Sequence, residues 1–178
     1  MAKLSPAGTA TRWLSDNERH AWLELIRVLL TLPATLDTQL RNTANLTLYE
    51  YYVLGVLGEQ PSHVMGLKSL ASTTNASISR LSHVLTRLEN AGLVRRRTSA
   101  TDGRLTEAVL TDEGLRRVTA AAPGHVEAVR TLVFDTLEEG DVDRLADLLS
   151  RIAPDANHPV ARISRAVHRQ PPRSGHRD

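Results

Sequence analysis

Between Leu67 and Leu110 the apolar residues follow an order that leaves the chain few folds to choose from. Leu67, Leu70 and Ala71 form one short stripe at helical spacing, and Leu81, Val84, Leu85 and Leu88 form a second. Thr73-Thr74-Asn75-Ala76 separates them, and Asn75 suits a tight turn because its short amide tolerates the left-handed region. Ser77 is placed to cap the second stretch, and Ala91-Gly92-Leu93 closes it in the manner of a glycine C-cap. Residues 93–98 and 105–110 then read as a hairpin, with turn chemistry in Thr98-Ser99-Ala100-Thr101-Asp102-Gly103 at its tip. A helix-turn-helix followed at once by a narrow β wing is the reading these residues support.

Longer helices flank this unit. Ser15 and Glu18 can cap a first helix reciprocally, and Trp22, Leu25, Ile26 and Leu29 follow at helical spacing, roughly continued by Leu32, Leu36 and Leu40. Pro33 falls inside that stripe and predicts a kink or short break. Thr47-Leu48-Tyr49-Glu50 repeats the capping pattern for a helix with Tyr49, Val53, Val56 and Leu57 on one face, ending near Gly58. Pro61-Ser62 reads as a loop. Thr111-Asp112-Glu113-Gly114 starts a long helix bearing Leu115, Val118, Val126, Val129 and Val133, which Pro123-Gly124 should bend. A last helix from about Asp141 points Val142, Leu145, Leu148, Leu149 and Ile152 inward. The expected fold is mainly α with a small β wing: a winged helix-turn-helix lobe plus a helical dimerisation region. Its parts are an N-terminal dimerisation region (1–46), the lobe (47–111), C-terminal dimerisation helices (112–153) and a basic, flexible tail (154–178).

Net charge is only +2, but its distribution is uneven. Residues 62–111 carry seven basic and three acidic side chains, whereas 112–153 carry five and nine. A basic middle between acidic flanks points to one surface meant for a polyanion. Cysteine is absent, which excludes disulfides, thiolate metal sites and cysteine nucleophiles. The seven His show no ligand spacing with one another or with carboxylates, and there is no glycine-rich phosphate loop or nucleophile elbow. No enzyme activity, cofactor or metal is therefore expected. No apolar run reaches the ~20 residues of a membrane span and no secretory pattern is present, so the chain is expected in the cytoplasm.

With the second stripe buried, the opposite face of that helix presents Ser79, Arg80, Ser82, His83, Thr86 and Arg87, with Ser77 and Ile78 at its start. A major groove admits one helix, and a basic N-terminal half can reach base edges. Arg80 is the first choice for reading a base, since a guanidinium can bond both acceptors of guanine, and Arg87 is assigned to phosphate. Asp102-Gly103-Arg104 sets an arginine at the wing tip, where Asp102 can hold its guanidinium for a minor groove. Arg95, Arg96 and Arg97 alternate sides along the incoming strand, which places Arg95 and Arg97 among the DNA-facing candidates. The competing class is a winged-helix module that binds another protein, which would lose nothing on replacing Arg80 and Arg104.

The run Leu46-Thr47-Leu48-Tyr49-Glu50-Tyr51-Tyr52-Val53-Leu54 carries a further signal, together with Leu70-Ala71, Ser77, Arg87-Leu88-Glu89, Gly92-Leu93-Val94, Asp102-Gly103-Arg104 and Leu110-Thr111-Asp112-Glu113-Gly114. Over about residues 15–153 the chain resembles the MarR family of bacterial transcriptional regulators. The resemblance implies a homodimer built from the first and last two helices, pseudo-palindromic double-stranded DNA as partner, and repression. It also implies release by a small phenolic or anionic effector bound between lobe and dimer region. Trp13, His20, Trp22, Arg27, Tyr51 and His125 lie in the segments that would line such a cleft, where an aromatic wall and a cation suit an aromatic carboxylate. Two departures stand out: Asn75 occupies a turn position where many members carry Gly, and the basic tail lies outside the family pattern.

Overall fold

The computed structural model describes residues 11–100 and 102–152; the basic tail expected at 154–178 lies outside them. In chain order the elements are α1 (Asp16–Ala44), α2 (Leu48–Glu59), β1 (Val64–Gly66), α3 (Leu67–Thr73), α4 (Ile78–Asn90), β2 (Val94–Thr98), β3 (Thr106–Leu110), α5 (Asp112–Leu132) and α6 (Asp141–Ile152). A single 3-10 turn, Phe134–Thr136, joins the last two. One unit of the chain ends at Ala34 and a second begins at Thr35.

Local signals set the helix ends. Ser15 accepts from the Glu18 amide while Glu18 accepts from the Ser15 N–H. Thr47 and Glu50 make the same reciprocal pair at the start of α2. Ser77 accepts from the Arg80 amide at the start of α4, and Thr111 from the Gly114 amide at the start of α5. Gly92 ends α4 with φ 72, and Asn75 makes the turn between α3 and α4 with φ 51, where its amide side chain does the work of glycine. Gly114 is required for a different reason: a Cβ there would lie 2.1 Å from the Leu93 carbonyl oxygen, so α5 packs onto the β2 entry only without a side chain.

Neither proline ends its helix. α1 runs unbroken through Pro33 and α5 through Pro123, in place of the break considered at Pro33. Both lie on exposed faces, where water can take the carbonyl that each leaves without its N–H donor. The hairpin is also larger than expected. β1 adds to the outer edge of β3, giving a three-stranded antiparallel sheet in the order β1-β3-β2. Three residues carry too little alternation to announce a strand; Val64–Gly66 becomes one by pairing with Glu107–Val109.

The core sits under the lobe. α2 is not half-buried on one face as its stripe implied, because Tyr51, Val53, Leu54, Val56 and Leu57 are all buried around it. Leu81, Leu85 and Leu88 anchor α4 to this core, with Val84 half-buried at its margin. Truncating any of the three leucines to alanine should cost about 2–5 kcal/mol. By contrast α6 buries no residue within its own chain: Val142, Leu148, Leu149 and Ile152 are exposed, as are Trp22, Leu23, Leu29 and Leu30 on α1.

Candidate nucleic-acid interface

α4 turns its three leucines into the core and so commits its other side to solvent. Ile78, Ser79, Arg80, His83, Thr86 and Arg87 are exposed there, Ser77 is exposed at the cap, and Ser82 is half-buried. Two of these side chains rest on the first turn of α2. The Arg80 guanidinium carbon lies over the Tyr49 ring, 4.6 Å from its centroid. Arg87 Nε lies 3.2 Å from Glu50 Oε1, a carboxylate only 3% exposed whose other oxygen already accepts from Thr47. Arg87 was expected to touch phosphate, and its pairing with Glu50 was not foreseen. Because its own side chain is 63% exposed, it can neutralise Glu50 and still offer its terminal nitrogens outward.

The three consecutive arginines of β2 separate by strand parity. Arg95 and Arg97 are exposed on one face, while Arg96 turns back toward α4. There its backbone N–H donates to Glu89 Oε1 (2.9 Å), and its guanidinium donates to Glu89 Oε2 (2.6 and 3.0 Å) and Thr86 Oγ1 (3.2 Å). These bonds, led by the side-chain pair, hold the Glu89 carboxyl below its usual range. Arg96 thus ties wing to helix. Arg97 Nε donates to Glu107 Oε2 at 2.9 Å across the strand pair, and the Ser99 hydroxyl donates to the other oxygen at 2.8 Å. Ser99 first and Arg97 second hold Glu107 low. Arg95 pairs across from Val109 and forms no ion pair among the described residues.

At the wing tip the expected Asp102–Arg104 guanidinium contact does not form. Asp102 instead accepts the backbone N–H of Arg104 at 3.0 Å, and its own carbonyl accepts from Leu105 at 2.9 Å. A carboxylate two residues upstream closes an Asx-type turn more readily than it reaches a long side chain. The Arg104 side chain is exposed and makes no ion pair among the described residues. Sequence reading missed the roles of Tyr49, Glu50 and Glu89. The first two were legible only as members of a capping run, and nothing in the spacing links Glu89 to Arg96.

The six residues proposed to meet an effector are divided between the two units. Trp13, His20, Trp22 and Arg27 all belong to the first unit and are exposed, and Arg27 donates to Glu24 at 2.5 and 2.8 Å. Tyr51 and His125 come together in the second unit, both buried, with ring centroids 4.7 Å apart. Burial, with Tyr52 adding to it, pushes the Tyr51 phenol up to about 12, so it stays protonated. Its hydroxyl finds no hydrogen-bond partner among the described residues.

The MarR family model matches residues 46–106, the segment from the end of α1 to the start of β3. AbsC, a MarR family transcriptional regulator from Streptomyces coelicolor, is 40% identical and superposes with a TM-score of 0.75, over 80% of this chain and 95% of that one. The chain belongs to the MarR family. Sco3205, another MarR family regulator from Streptomyces coelicolor, whose structure contains DNA, is 37% identical with a TM-score of 0.76, over 80% of this chain and 89% of that one. The HTH-type transcriptional regulator MhqR of Bacillus subtilis (strain 168) is 28% identical over 110 residues, 60% of this chain and 72% of that protein. This MarR protein is accordingly a DNA-binding transcriptional regulator and not an enzyme. Among its described residues no helix is long and apolar enough to cross a membrane.

Proposed function

We propose that this MarR regulator acts as a repressor that binds pseudo-palindromic duplex DNA as a homodimer. Each copy lays α4 in a major groove, with Arg80 reading a base, and brings Arg104 of its wing to the adjacent minor groove. The observation that carries this reading is the outer face of α4, where the exposed Arg80 guanidinium makes no hydrogen bond or ion pair among the described residues, beside a wing bearing Arg95, Arg97 and Arg104. The apolar side chains left exposed on α1 and α6 support the dimer, since a second copy would take them out of water. Two-fold symmetry then matches half-sites about 10 base pairs apart.

The effector half of the reading rests on the family resemblance and on the Tyr51–His125 pair. A neutral phenol with an unused hydroxyl, beside an imidazole, suits an aromatic carboxylate. Selection from random duplexes, with the oligomeric state measured in the same buffer, tests the DNA half. A two-fold-symmetric motif bound by a dimer is expected; a monomer, or no preference among duplexes at modest ionic strength, overturns it. Calorimetric titration with a panel of aromatic carboxylates tests the other half, and silence across the panel removes the effector.

A further inference from the structure

α2 carries no residue of the exposed DNA-facing surface, yet its first turn lies directly beneath the recognition helix. Tyr49 is held there by a directed chain. The Thr74 hydroxyl has one proton, and it donates that proton to the Leu70 carbonyl at 2.8 Å. The 2.8 Å contact between Thr74 Oγ1 and Tyr49 Oη therefore has the phenol as donor. Thr74 is buried in the turn of the helix-turn-helix, so the position of the Tyr49 ring is set by the same turn that sets α4. Arg80 lies on that ring.

We propose that Tyr49 is a specificity-determining residue of this regulator: a platform that pre-orients Arg80 for the base it reads. The inference rests on the reading of Arg80 as the base contact. A cation held against an aromatic face spends no N–H in a directed bond, so all five guanidinium donors remain for the DNA. An arginine without such support loses its rotamer freedom on binding, and this weakens the specific complex. Tyr49 thus acts through Arg80 and touches no nucleotide itself. Its effect is confined to the base pair that Arg80 reads and is absent from sequence-independent phosphate binding.

The test uses the full chain with the duplex obtained by selection, single-position variants of that duplex, and a random duplex as the sequence-independent control. Tyr49→Leu should lower discrimination at the Arg80 base pair about two- to fivefold, the range for an exposed cation–π contact. Affinity for the random duplex and its salt slope should not change. Tyr49→Phe keeps the ring but loses its bond to Thr74, and should restore part of the discrimination. In an Arg80→Ala background Tyr49→Leu should have no further effect on it. The platform is overturned if Tyr49→Leu weakens all duplexes alike, if Tyr49→Phe is as damaging as Tyr49→Leu, or if Tyr49→Leu leaves discrimination intact while Arg80→Ala abolishes it. Should Arg80→Ala itself leave discrimination unchanged, the base-reading role of Arg80 falls, and the platform falls with it.

Discussion

The recognition helix and the wing both carry arginines toward solvent, but they hold them differently. Arg80 and Arg87 on α4 rest on Tyr49 and Glu50, adjacent residues of another helix. Arg104 at the wing tip is fixed through its backbone N–H to Asp102, and its side chain has no ion-pair partner among the described residues. An arginine already oriented loses little freedom on binding and can demand a particular base edge. One that is not oriented loses about 0.5–1.5 kcal/mol of rotamer freedom when it docks, and it follows the shape and potential of a groove. The same residue type is thereby suited to direct readout in one place and to shape readout in the other.

The contrast breaks most visibly at Arg80. Arg80→Ala should cost about 1–3 kcal/mol on the preferred duplex, concentrated at one base pair, as read by competition binding against single-position variants. A loss spread evenly over positions would make Arg80 a phosphate contact and erase the difference between helix and wing.

Arg87→Ala comes next, and its effect should already appear without DNA. Removing the guanidinium leaves the buried Glu50 carboxylate with its Thr47 bonds but no ion pair among the described residues. Urea unfolding should show a loss of about 1–2 kcal/mol, less than for a fully buried pair because Arg87 is largely in water. Adding Glu50→Gln should recover part of it. An unmoved unfolding midpoint would show that Arg87 is as unanchored as Arg104.

For Arg104→Ala the unfolding midpoint should stay where it is, and binding should weaken by roughly 1 kcal/mol or less, most on duplexes with A/T flanks. Equal weakening on every flank would exclude minor-groove reading. The smallest effect concerns how the two regions are joined. Glu89 titrates below its ordinary 4.5 because of its bonds to Arg96. A carboxyl depressed in the folded state stabilises fully above the unfolded value, and that contribution is lost as the pH falls below it. Hydrogen exchange of the β2 amides should therefore show no added opening from neutral pH down to about 5, and opening only below about 4.5. Opening that begins nearer neutrality would mean that another group joins wing to helix.

Most of the architecture was legible before any coordinates. The starts of α1, α2, α4 and α5 announced themselves through Ser15, Thr47, Ser77 and Thr111, whereas α3 has no side-chain cap, and Asn75 and Gly92 marked two of the turns that need positive φ. The exposed face of α4 followed from the spacing of Leu81, Val84, Leu85 and Leu88, of which Val84 is only half-buried. What spacing could not show was the partner of each arginine. Arg96 meets Glu89, seven residues away, and Arg80 meets Tyr49, thirty-one positions upstream in another helix. The placing of β1 was hidden for a related reason, since three residues become a strand only when an edge is offered to them.

The linear order of residues therefore determined the helices, the β2–β3 hairpin and the outward side of α4, because hydrophobic period and capping act over a few neighbouring positions. Tertiary structure alone decided which arginines are tied down and which are presented. Strand parity sends Arg96 inward, and the packing of α4 over α2 brings Tyr49 and Glu50 beneath Arg80 and Arg87. Those contacts depend on distances between segments far apart in the chain, and no local pattern encodes them.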